Sequence, residues 1–194
     1  MTLLQLKYKG SRTYLHGSDI FNTLEDVLSN IQTGYVSKLV FKNFARNQIQ
    51  LWMHEPTEAL KVLGTAIWKN DTGEERRLWL TETEIAVEES YPFDEEAILV
   101  DSEIESRSIQ LSVSNNYTTI ENVIALTKRL NYTLSPDVNG KWLFGQIDLL
   151  RKLPTSWDTL RIDRTVCVAN SFSRNRIVVD DEYCGEIRFI GGEP

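Results

Sequence analysis

The 194 residues are 41% apolar and 25% charged, with a formal net charge of -7, the proportions of a soluble globular chain long enough for one domain or two compact halves. That acidic balance argues against a general nucleic-acid binder, which needs a basic face to release counterions, and no apolar run reaches the length that spans a bilayer. With two cysteines, Cys167 and Cys184, and no basic-plus-apolar leader, the expectation is a cytoplasmic protein with reduced thiols, neither bound to nucleic acid nor to a membrane.

Residues 3–9 are rich in Leu and Tyr and end in the turn chemistry of Lys9-Gly10-Ser11, which predicts a short strand. The next stretch, Arg12 to Ile31, organises the chain. Ile20, Phe21, Leu24, Val27, Leu28 and Ile31 recur at the spacing of one buried helix face, so a helix is expected from Ser18 to Ile31. Ser18 is placed to cap it, and Asp19 suits the positive end of its dipole. His16 and Gly17 then fall just before a helix N-terminus, where backbone donors could hold an anion or a carbonyl oxygen. Thr33-Gly34 is the expected stop. Three stretches with strand-like alternation follow, 37–53, 58–70 and 75–90, separated by turn signals at His54 to Thr57 and Asn70 to Gly73. From Tyr91 to Glu105 an acidic run surrounds the apolar patch Ala97 to Val100, read as a last strand plus connection whose acids form a solvated edge.

The order then repeats. Ser108 to Val113 reads as a short strand, and Thr118 to Leu130 as a helix with Ile120, Val123, Ile124, Thr127 and Leu130 on one face. Three more strand-like stretches, 141–153, 159–172 and 176–190, are divided by turn residues at Pro154 to Asp158 and Ser171 to Asn175. Two halves, 1–105 and 106–194, thus carry the same elements in the same order.

A short helix wrapped by a long antiparallel sheet, in units of this size and used twice, resembles the hotdog fold in its tandem form. The resemblance is most specific in LLRKLPTSWDTLRIDRTV and RIVVDDEYCGEIRFI, which are similar to the closing strands of the hotdog hydroxyacyl-thioester dehydratases. Here the turn lacks their Pro-Gly-Asp glycine, and His16 is followed by Gly-Ser-Asp rather than Phe-Pro-Gly. The resemblance implies an α+β double hotdog with two central helices each wrapped by a long antiparallel sheet. It also implies a histidine before one central helix and a carboxylate on the other, which are His16 and Glu121 in this chain. The histidine would remove a proton α to the thioester carbonyl and the acid would protonate the departing 3-hydroxyl. Gly17, Ser18, Asp19 and Asn22 would line the substrate, with helix-start N–H groups on the developing enolate oxygen. The implied partner is a small acyl thioester or an acyl carrier protein. The acyl group would ride on coenzyme A or phosphopantetheine, with no cofactor of the protein's own, and a homo-oligomer is compatible with the fold.

Other roles compete for these residues. Thr118-Thr119-Ile120-Glu121 has the form of a capping box, which gives Glu121 a structural role. His16 could be a loop histidine bonded to Asp19 or Tyr14. Asn22 occupies the place in the first helix that Glu121 has in the second, so at most one complete pair is expected. His54 lies in a turn, and two histidines without Cys or carboxylate at ligand spacing make no zinc site. Lys38, Lys42, Arg46, Arg151, Lys152, Arg161 and Arg164 could receive phosphates or simply form a wet sheet face. The functional alternatives are a thioesterase of the same fold, working through a carboxylate, and a non-catalytic protein that binds a ligand or partner.

Overall fold

The computed structural model describes residues 1–57 and 60–193, and the chain forms two compact units, Met1–Phe93 and Asp94–Pro194. In the first unit the elements run β1 (Thr2–Leu4), β2 (Tyr8–Lys9), α1 (Gly17–Ser29), β3 (Gly34–Phe41), β4 (Asn47–Trp52), β5 (Val62–Asn70), β6 (Glu75–Ala86) and β7 (Ser90–Tyr91). Five strands make an antiparallel sheet in the order β1-β4-β6-β5-β3. The alternation read from the sequence is the pleat of this sheet. Leu78 and Leu80 of β6, Ile49 and Leu51 of β4 and Ala66 and Trp68 of β5 are buried, while Trp79, Gln50 and Ile67 between them are more exposed. The stretch 37–53 is two strands rather than one, broken at residues 42–46, and the first two residues of the stretch 58–70 lie outside the described residues.

Helix α1 packs on β3 through Ile20, Phe21, Leu24 and Leu28. Each large apolar side chain buried in this way contributes about 1.5–3 kcal/mol. The helix ends at Ser29 with Asn30 as its C-cap, two residues before the predicted end, and Ile31 is 60% exposed rather than part of the core. The residues predicted as one opening strand split into β1 and β2. The second of these leaves the main sheet and pairs in parallel with β7, with Tyr8 opposite Ser90 and Lys9 opposite Tyr91.

In the second unit the order is α2 (Glu96–Leu99), β8 (Glu103–Glu105), β9 (Ser108–Leu111), α3 (Thr119–Leu134), β10 (Lys141–Leu149), β11 (Leu160–Val168), β12 (Phe172–Val179) and β13 (Glu182–Gly192). The strands form an antiparallel sheet in the order β10-β13-β12-β11-β9-β8. Helix α3 lies against β9, β10, β11 and β12. It buries Ile120, Val123, Ile124, Ala125, Leu126 and Leu130, so its apolar stripe is wider than that of α1 because more strands contact it.

Two sequence readings are corrected here. The patch Ala97 to Val100 is not a strand: it lies in the single turn α2 and the residue after it. The Asp94 carboxylate accepts from Glu96 N at 3.1 Å and starts that turn, and Ile98 is the residue it buries. The turn predicted at Ser171 to Asn175 lies earlier, with Ala169 and Asn170 at φ 46° and 53° and Ser171 N donating to Val168 O. Ser173 and Asn175 are turn-type residues that are nevertheless wholly buried in β12, because Asn131 and Ser173 hydrogen-bond one another there. Both cysteines are free thiols; Cys184 is buried and Cys167 half-buried.

Candidate functional site

The first unit gathers a polar cluster at the start of α1. Gly17 is the first helical residue, so the N-cap is His16 and not Ser18. His16 has extended backbone (φ −80°, ψ 139°) and its Nδ1 lies 3.4 Å from Ser18 N, the position from which an N-cap side chain serves the first turn. Ser18, one position into the helix from Gly17, turns inward and is wholly buried. Its Oγ stands 2.7 Å from His16 Nδ1 and 2.9 Å from Asp19 Oδ1.

Lys9 completes the cluster from β2. Its side chain is 0% exposed against 12% for that of Asp19, and its ammonium donates to Ser18 Oγ and Asp19 Oδ1, each at 2.9 Å. The same nitrogen sits 4.0 Å above the centre of the Phe93 ring, a cation–π contact that replaces part of its lost hydration. Tyr91 O–H donates to the other oxygen of Asp19, Oδ2, at 2.7 Å. A lysine with no exposed surface is retained only where its charge is paired and hydrogen-bonded, and each of these contacts supplies part of that condition. The parallel pairing of β2 with β7 brings Lys9 and Tyr91 together.

Of the residues expected at the site, the structure brings His16, Gly17, Ser18 and Asp19 into this cluster, with Asn22 half-buried one turn further along the same helix. Glu121 belongs to the second unit. There the capping box is complete: Glu121 Oε2 accepts from Thr118 N and from Thr118 Oγ1, both at 2.8 Å, and Thr118 Oγ1 accepts from Glu121 N at 3.4 Å. His54 is exposed.

Among the basic residues, Arg151 pairs with Glu182 and Arg161 with Asp163 and Asp181. Arg164 donates to Ser135 Oγ at 2.8 Å and to Leu134 O at the end of α3, where a cation complements the helix dipole. No group of three or more metal-ligating side chains occurs among the described residues. No helix among them is long and apolar enough to cross a membrane. A cleft of about 380 Å³ in the first unit runs between Leu3–Lys7 and Ala86–Glu89, and none of the site residues lines it.

Sequence reasoning missed Lys9, Tyr91 and Phe93. A lysine between a tyrosine and a turn glycine carries no mark of burial, and its partners come either from the helix start or from more than eighty positions away.

No family model matches the chain, and no curated protein matches it. Solved structures do. The pyran synthase domain from module nine of the sorangicin pathway is 9% identical, with 96% of this chain and 91% of that one covered and a TM-score of 0.50. The erythromycin dehydratase is 12% identical over 98% of this chain and 85% of that one (TM-score 0.47). A candidate thioesterase from Novosphingobium aromaticivorans is 10% identical over 97% and 92% (TM-score 0.46). At such identity the comparison carries architecture alone: the chain shares with that pyran synthase domain a hotdog-like α+β fold, a large antiparallel sheet with few helices.

Proposed function

We propose that this chain is a double hotdog acting on acyl thioesters, and that its chemistry is reversible dehydration of a 3-hydroxyacyl group with His16 as the base. The observation that carries the reading is the placing of His16 at the N-cap of α1 with Nδ1 held by Ser18. Nδ1 is thus anchored beside a helix N-terminus that favours a developing enolate oxygen. The acyl-thioester substrate class is the one that the resemblance to the hotdog hydroxyacyl-thioester dehydratases implies. The acyl group is carried on coenzyme A or a phosphopantetheine arm, which calls for no cofactor in the protein.

Glu121 is the proposed acid. Its Oε2 also accepts from Thr118 N and Thr118 Oγ1, so capping and proton donation compete for the same carboxyl group. The thioesterase alternative needs a carboxylate that attacks or activates water. Asp19 is poorly suited to it, because Lys9 and Ser18 occupy Oδ1 and Tyr91 occupies Oδ2.

The test is mass-spectrometric turnover of 3-hydroxyacyl, enoyl and saturated thioesters, on coenzyme A and on carrier protein, by the wild type and His16→Ala. Loss or gain of water that disappears in the variant is the expected result. Hydrolysis indifferent to His16 would replace the dehydratase reading with the thioesterase, and inertness towards every thioester would replace both with a binding role.

A further inference from the structure

We propose that Ser18 links His16 to Asp19 as a proton-ordered relay, clamped by Lys9, which holds the neutral imidazole with its proton on Nδ1 and its lone pair on Nε2. The inference rests on the His16 reading above and adds positioning residues to it.

The argument is a count of hydrogens around one atom. Ser18 Oγ has three polar neighbours within hydrogen-bond distance: Lys9 Nζ at 2.9 Å, Asp19 Oδ1 at 2.9 Å and His16 Nδ1 at 2.7 Å. A hydroxyl has one hydrogen and two lone pairs. An ammonium can only donate, so Lys9 takes one lone pair. Asp19, ion-paired to that ammonium, is a carboxylate that can only accept, so it takes the hydroxyl hydrogen. A lone pair is all that remains for the 2.7 Å contact with His16, and Nδ1 must therefore bring the proton. Reversing the hydroxyl would set Oγ against Oδ1 at 2.9 Å with no hydrogen between two acceptors. The approach of Ser18 N–H to Nδ1, at 3.4 Å, lies beyond the usual N–H distance range and yields to the shorter contact.

A histidine's tautomer is set by the bond its other nitrogen makes, and the free side chain favours the opposite form, with the proton on Nε2. The relay therefore changes what His16 offers a substrate: an acceptor for a proton rather than a donor. When Nε2 takes a proton the imidazolium keeps the Nδ1–H···Oγ bond, and Asp19 balances its charge through the same hydroxyl without any group having to rotate. Lys9 holds Ser18 and Asp19 at the separation this requires, with Phe93 over its ammonium and Tyr91 on the far carboxylate oxygen.

The chain has two histidines, so His54→Gln leaves a single imidazole whose ring nitrogens can be read by long-range proton–nitrogen correlation spectroscopy without substrate. In alkaline buffer, where the ring is neutral, Nδ1 is expected at the shift of a protonated nitrogen and Nε2 at that of a bare one. Adding Ser18→Ala is expected to exchange the two shifts. A ring already protonated on Nε2 in the His54→Gln background, or one that Ser18→Ala leaves unchanged, would overturn the relay. Should Ser18→Ala fail to fold, the parent spectrum still decides. This readout does not depend on turnover, so an inert protein with the proton on Nδ1 would defeat the dehydratase reading and leave the relay standing, and the converse result would do the opposite.

Discussion

Lys9→Met tests whether the buried pair organises the first unit. The substitution keeps the volume of the stem and removes the ammonium, leaving Asp19 with its Tyr91 and Ser18 bonds but no compensating charge. Lys9 has no exposed surface and Asp19 has 12%, so the pair has little solvent to screen it, and breaking one side of such a pair costs about 3–5 kcal/mol. Loss of the contact over Phe93 at 4.0 Å lies within that range. For a chain of this length about 2–4 °C accompanies each kcal/mol, which puts the fall in Tm at roughly 6–20 °C. Asp19→Asn is expected to cost less, since the residue is partly exposed and the amide can still accept from Tyr91. The double variant should be about 2 kcal/mol less damaging than the sum of the singles, as expected for groups in direct contact. Calorimetry and urea unfolding of all four proteins measure the cycle. A Lys9→Met loss under about 1 kcal/mol, or additivity of the two substitutions, would refute the claim that the ion pair is buried and coupled.

Thr118→Ala should cost about 1 kcal/mol through loss of the α3 cap, read from the urea midpoint. Glu121→Gln separates cap from acid: if Glu121 only caps, both stability and turnover move little, whereas an acid role abolishes dehydration in a protein that still folds. Ser173→Ala removes the acceptor of Asn131 Nδ2 at 2.7 Å inside the second unit, where every partner is buried, and should cost about 1–3 kcal/mol. Burial raises the pKa of Tyr35, with the nearby Glu75 carboxylate adding to the shift. The unfolded chain therefore loses this proton first as pH rises. The associated stabilisation is present below the ordinary tyrosine pKa and is lost as pH climbs through the folded value. Ultraviolet titration should place Tyr35 above free tyrosine, and Glu75→Gln should bring it only part of the way down, because burial remains.

What could be read locally was read from the chain alone. The stripe Ile20, Phe21, Leu24, Leu28 and its counterpart Ile120, Val123, Ile124, Leu130 fall on buried helix faces, because helix periodicity is fixed by backbone geometry within a few residues. The Thr118–Glu121 box closes as its spacing implies, since all its atoms belong to one turn. The cap of α1 is also local, yet capping rules rank hydroxyls and carboxamides and omit imidazole, so they favour a serine two residues downstream over His16. Ser173 and Asn175 reversed their expected places, as polar side chains do when buried partners satisfy them.

The site needed the tertiary structure. Neither the pattern around Lys9 nor its charge marks it as buried; that follows from β2 leaving the main sheet to pair with β7, which carries Tyr91 to the far side of Asp19. The sequence by itself determined the two long helices, most of the antiparallel strands and the histidine at the head of α1, all set by short-range spacing. Only the folded chain decided that a lysine, a serine and an aspartate would surround that histidine's anchor, because strand pairing across some eighty residues and the desolvation it imposes are properties no local window contains.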